Sequence, residues 1–141
     1  MSDLYDEDIV LWSERQGELL RRRAAGELVN EAELDWPNLA EQIESVGNEQ
    51  RFVVESLLVQ AIVQLLKAHV WPDCRDAPNW RADSMPFRGD AAARFVPSMR
   101  QRLDLARIWR RALLAMPDTI DGEALVPLPA TCPYTLDEPC G

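Results

Sequence analysis

One histidine, three cysteines and a run of carboxylates are the residues of this chain that chemistry would need. His69 follows Leu65 by four positions and Ile62 by seven, so it lies at the edge of an apolar helical stripe, in a last helical turn. There the negative end of the helix favours a charged imidazole, which is the structural use of such a histidine. A helical di-metal site needs Glu-x-x-His pairs, and the residues three and four before His69 are Leu66 and Leu65. Cys74, Cys132 and Cys140 form no C-x-x-C pair, so neither a zinc knuckle nor a disulfide framework is expected. No metal and no cofactor is assigned.

Asp35, Glu41, Glu44 and Glu49 offer carboxylates for acid–base work, which requires two carboxyls in opposed environments. Glu41 and Glu44, three apart on a helix, are equally the pattern of a solvated acidic face. The one catalytic set that can be assembled is a pocket of Glu41, Glu44, His69, Trp80 and Arg81. It stands as the alternative reading, an enzyme or a metal-binding protein, to a non-enzymatic role. Cys74 lies five residues after His69 across a proline, and nothing local holds the two as a thiolate–imidazole pair. The tryptophans 12, 36, 71, 80 and 109 read as packing residues, each with one N–H to satisfy, rather than as a base-stacking platform. Arg88-Gly89-Asp90 spells an adhesion tripeptide by coincidence. Phosphate-binding glycine loops, nucleophile elbows and dinucleotide fingerprints do not occur.

Charge narrows the partners. The net charge is -9, and it is unevenly placed: residues 1–50 hold thirteen carboxylates and four arginines, whereas residues 81–111 hold eight arginines and three aspartates. Nucleic-acid binding by the 81–111 arginines is therefore unlikely for the chain as a whole, and a protein partner or a homo-oligomer fits the polarised charge better. The acidic start does not resemble a secretory signal, and no apolar run is expected to approach the ~20 residues of a membrane span, so the expectation is a cytoplasmic protein without a membrane role.

The elements that must position these residues are helices. The spacing of Leu4, Ile9, Trp12, Leu19 and Leu20, with Tyr5 and Gln16 on the same stripe, predicts a helix from about Leu4 to Ala25. Asp3 would cap it, Arg21, Arg22 and Arg23 would favour its last turn, and Gly26 would stop it. Leu39, Ile43 and Val46 give a second helix after Pro37, with a break or kink at Gly47. The third, about Asn48 to Val70, has a stripe broad enough for two neighbours (Val54, Leu57, Leu58, Ala61, Ile62, Leu65, Leu66) and should be central. A short helix over Trp80 to Met85 would be interrupted by Pro86 and Gly89. The last helix would run from near Pro97 to Ala115 with Met99, Leu103, Ile108, Trp109, Ala112 and Leu113 inward. No alternating strand pattern appears. The expected fold is a single all-α domain over 1–141, a bundle of four to five helices with an extended Pro-rich tail from about residue 117, its interior shared by Ile9, Ile43, Leu58 and Leu103.

In chain order, Leu4-Tyr5-Asp6-Glu7-Asp8, Trp12, Gln16, Leu19-Leu20-Arg21, Leu34-Asp35-Trp36, Asn38-Leu39-Ala40-Glu41, Ile43-Glu44-Ser45-Val46-Gly47, Leu65-Leu66-Lys67, Asn79-Trp80-Arg81 and Cys132-Pro133-Tyr134-Thr135-Leu136 form a pattern. It resembles the bacterial family known as domain of unknown function 29 (DUF29). The resemblance implies a compact all-α domain and brings no activity, cofactor or catalytic residues with it. The chain departs from the family at Met85-Pro86-Phe87-Arg88-Gly89-Asp90, where the family continues as one charged helix. The function expected from all this is a small helical protein–protein interaction module.

Overall fold

Asp8 decides how the chain starts. Its side chain accepts from the Leu11 N–H at 3.0 Å, capping α2 (Ile9–Ala24) and separating it from a short α1 (Asp3–Glu7). The single helix expected over this stretch is therefore two. A computed structural model describes residues 3–134 of the chain. The Asp3 cap, the Thr135-Leu136 end of the family pattern, Pro139 and Cys140 fall outside what is described, the first because its side chain is not. At the other end of α2, Gly26 takes φ +87°, and the Gly26 and Glu27 N–H groups donate to the carbonyls of Arg23 and Arg22. That is a Schellman stop, as the glycine predicts.

A 3-10 turn, Glu31–Glu33, leads to α3, which runs without interruption from Trp36 to Val70. Gly47 sits inside this helix, so the expected break is absent; a single glycine costs a helix only ~1 kcal/mol. Next comes α4 (Ala77–Arg94), which also exceeds the short helix expected. Pro86 lies within it and removes one hydrogen bond to the Ala82 carbonyl, yet the helix resumes and closes at Phe95. A short α5 (Met99–Arg102) and α6 (Leu105–Ala115) replace the single last helix. Asp104 is the reason: its carboxylate accepts from the Arg107 N–H at 3.2 Å and starts α6 afresh. Beyond it, β1 (Thr119–Ile120) and β2 (Glu123–Ala124) pair antiparallel. Asp121 and Gly122, at φ +51° and +81°, make the two-residue turn between them, an Asp-Gly signal that the search for alternating strands passes over.

Among the described residues the protein is all-α apart from that hairpin. Residue contacts divide the chain into two compact units, Met1–Asn48 and Glu49–Gly141. In the first, Trp12, Leu34 and Leu39 are buried together, with Leu4, Tyr5, Leu19, Leu20 and Val29 packed round them. Tyr5 meets Trp12 edge-on at 4.9 Å and its hydroxyl accepts from the Gln42 amide at 2.6 Å. In the second, Val54, Leu58 and Ile62 of α3 meet Trp80 and Ala91 of α4 and Ile108, Trp109 and Ala112 of α6. The hairpin and the segment after it are tied to this core by two indoles, Trp71 donating to the Glu123 carbonyl at 3.2 Å and Trp109 to that of Pro129 at 2.8 Å.

Leu58 and Leu103 are interior, as expected, but Ile9 and Ile43 are not. Leu39 buries the start of its stripe, while Ile43 and Val46, one and two turns on, are 71% and 63% exposed. An apolar helix face is thus left unpartnered within the first unit. By length and composition alone α3 could cross a membrane, a test that core helices also pass, and Val54, Leu58, Ala61 and Ile62 have no exposed surface.

Candidate functional sites

Two constellations bring polar side chains together across long sequence separations. The first lies in the first unit. Trp12, 4% exposed, donates its indole N–H to Asp35 Oδ2 at 3.0 Å, and the Asn38 amide donates to the same oxygen at 2.7 Å. The buried Gln16 uses both ends of its amide: Oε1 accepts from the Asp35 N–H at 2.9 Å, and Nε2 donates to the Glu33 carbonyl at 3.0 Å. The loop 33–35 is thereby fixed to α2. The Asn38 hydrogen bond holds the Asp35 carboxyl below the ordinary carboxylate range; partial burial opposes this, and the Trp12 bond adds to it. Beside this frame opens a cleft of about 430 Å³, lined among others by Leu4, Arg15, Leu19 and Arg22.

The second constellation lies in the second unit. Glu55 of α3 has a side chain only 4% exposed, and its Oε1 takes both Arg107 Nε at 3.0 Å and Arg111 Nη1 at 3.2 Å from α6. The two arginine side chains remain 51% and 41% exposed. Arg107 also lies 5.7 Å over the Phe52 ring, which is itself partly exposed. One buried carboxylate therefore fixes two cations at the surface. Arg107, Arg110, Arg111 and Leu114 fall at i, i+3, i+4 and i+7 of α6 and so share one face. Leu114 is 87% exposed among them.

A smaller cleft, about 170 Å³, lies by Trp71, Cys74, Asp121 and Glu123. The Cys74 thiol donates to Asp121 Oδ2 at 3.3 Å. The backbone N–H of Asp76 favours a thiolate, but burial together with the bond to Asp121 and its charge pushes the thiol up. That is an unactivated thiol holding the hairpin.

Of the residues singled out in the sequence, Glu41 and Glu44 are exposed in the first unit, and His69 and Arg81 are exposed in the second. Trp80 is buried, with Lys67 Nζ 5.0 Å over its ring. None of the five lines either cleft. No group of three or more histidine, cysteine or acidic side chains is placed to hold a metal among the described residues. Glu55 with Arg107 and Arg111 escaped the sequence reading, although Glu55 is a carboxylate set inside the broad apolar stripe of α3. That signal marks a charge needing a buried partner.

The chain belongs to the family of the domain of unknown function DUF29, whose model matches residues 4–140. No curated protein matches it. Among solved structures, an alpha-helical protein of unknown function from Rhodospirillum rubrum ATCC 11170 shares the fold, with TM-score 0.63 and 23% identity over 96% of this chain and 88% of that one.

Proposed function

We propose that this DUF29 chain is a helical protein–protein interaction module of the cytoplasm, and that the partner docking on the α6 face is the acidic part of a second copy. The observation that carries the reading is Leu114, almost fully exposed on the same face as Arg107, Arg110 and Arg111. Glu55 holds Arg107 and Arg111 in place before any partner arrives, and the Phe52 ring adds to the hold on Arg107, which lowers the entropic cost of binding. Arginine beside an apolar anchor is what interface centres favour. Residues 1–50 supply the opposite charge, and there Ile43, next to Glu44, and Val46 stand exposed. A surface meant only for a phosphate backbone has no use for Leu114 or for that acidic counterpart.

Such a contact is head-to-tail, since two different faces meet. Sedimentation velocity tests it. Association is expected at low salt and should weaken as salt screens the charged faces beyond ~10 Å. Leu114→Asp and Ile43→Asp are each expected to give monomers, while mixing the two restores a dimer, because each variant keeps the face that the other lost. Monomers at every salt concentration, or two variants that stay monomeric together, refute the reading. Retention of short DNA or RNA at low salt would instead assign the arginines to nucleic acid.

A further inference from the structure

We propose that the cleft beside Trp12 binds a small zwitterion, an α-amino acid with an apolar side chain, its ammonium group on Asp35 and its carboxylate on Arg15. The proposal does not rest on the self-docking reading, whose acidic face, with Ile43 and Val46, belongs to the same unit.

The cleft is preformed. Gln16 has both amide ends engaged and pins the 33–35 loop to α2, so the walls do not depend on an occupant. Its volume, about 430 Å³, is in the ~300–1,000 Å³ range of small-molecule sites. The lining is of mixed sign: Arg15 and Arg22 face it together with Glu18, Glu33 and Asp35. A plain anion would meet three carboxylates, and a plain cation two arginines. A molecule carrying both signs meets a partner at each end.

The individual groups support this polarity. Asp35 is the one carboxylate of the lining whose charge is fixed in place by donors, from Trp12 and Asn38. The two side-chain bonds fall on Oδ2 and the Asn38 backbone N–H gives a third, so of about four lone-pair sites on the carboxylate one remains for an ammonium. Arg15 has no ion-pair partner among the described residues, and Arg22 reaches only Glu27, at 3.9 Å. Arg15 and Arg22 are two helical turns apart on α2, with Leu19 between them; Leu19 and Leu4 give the apolar wall. A guanidinium is suited to a carboxylate by its fork of donors.

Titration of the full-length, nitrogen-15-labelled protein with L-leucine, followed by NMR, tests the assignment. L-leucinamide, which lacks the carboxylate, and isocaproate, which lacks the amine, are the controls. Leucine is expected to shift the Trp12 indole N–H (identified by its loss in Trp12→Phe) and to saturate below ~10 mM. Each control should bind at least ~10-fold more weakly, the loss expected when one charged partner is removed. Arg15→Ala changes an exposed residue and should reduce leucine to the level of leucinamide; Asp35→Asn should reduce it to that of isocaproate. An unsaturated response, controls that bind as well as leucine, or an Arg15→Ala variant that binds unchanged would overturn the proposal.

Discussion

Removing Arg107 and Arg111 one at a time and then together should give strongly non-additive losses of stability. Each arginine side chain is about half exposed, at 51% and 41%, so its ion pair is screened and its deletion costs about 0.5–1 kcal/mol. After either single change, Glu55 still has a cation on Oε1. After both, a carboxylate 4% exposed is left without either of the cations that pair with it, a state that costs about 3–5 kcal/mol. The coupling between the two arginines is then about 2–3 kcal/mol, beyond the few tenths seen between independent sites. Arg107→Ala, Arg111→Ala and the double variant can be compared by urea unfolding, followed by far-ultraviolet circular dichroism. At a slope of ~1–3 kcal/mol/M the double variant should lose 1 M or more in midpoint. The decisive variant is Glu55→Gln in the double background. If the loss comes from an uncompensated buried charge, neutralising that charge should recover about 2 kcal/mol or more. An additive double variant, or no recovery with glutamine, would refute the reasoning and reassign the arginines to packing by their aliphatic stems.

Three further outcomes follow from local geometry. Asp35→Ala should cost about 2–4 kcal/mol, because it leaves the buried Trp12 indole N–H unsatisfied and the Asn38 amide without its acceptor, and Trp12→Phe should suppress part of that loss in a double-mutant cycle. Because the folded Asp35 carboxyl lies below its usual 3.8, its contribution is fully present above that value and is lost as pH falls through the lower folded pKa; acid titration of wild type against Asp35→Asn should show the difference confined to that window. Gly26→Ala forces a side chain into φ +87° and should destabilise the first unit by about 1–2 kcal/mol, measured by thermal unfolding, whereas Gly47→Ala, inside α3 with open space round it, should stabilise.

The helical class and most of the second unit's interior were legible because apolar periodicity survives without knowledge of partners: Leu58, Ile62, Ile108 and Trp109 lie where their spacing places them. The boundaries failed at Asp8 and Asp104. Each sits in a run of helical spacing, so the period continues past it, yet each carboxylate caps the helix behind it and ends the one before. Pro86 failed in the opposite sense. One missing donor does not outweigh the burial of Trp80 and Ala91 at either side of it, and α4 passes through. Ile43 and Val46 could not be placed from their own spacing at all, because a periodic stripe tells which face is apolar and not whether anything covers it.

The two polar constellations were illegible for a different reason, and it bears on where function should be sought. Trp12 and Asp35 are 23 residues apart, Glu55 and Arg111 56, and no local rule joins them. Once joined, Trp12, Gln16, Asp35 and Asn38, all within the blocks that carry the family resemblance, have their polar atoms engaged in fixing one loop to one helix. In this chain those four residues of the pattern hold the first unit together. A buried polar group costs about 1–3 kcal/mol when unpaired, which is reason enough for such residues to be present without any chemistry. Residues that do no internal work tell more. Leu114 and Ile43 gain nothing from folding where they stand, Arg110 makes no ion pair among the described residues, and Arg15 faces a cleft in the same condition. Exposed apolar surface is tolerated in single residues, so the docking proposal rests on the combination: three arginines and a leucine on one helical face, two of the arginines fixed by a buried carboxylate. Substitutions of Arg110 and Leu114, which have no such internal tie, should leave the unfolding midpoint near wild type while changing association. Substitutions in the Trp12–Asp35 frame should do the reverse.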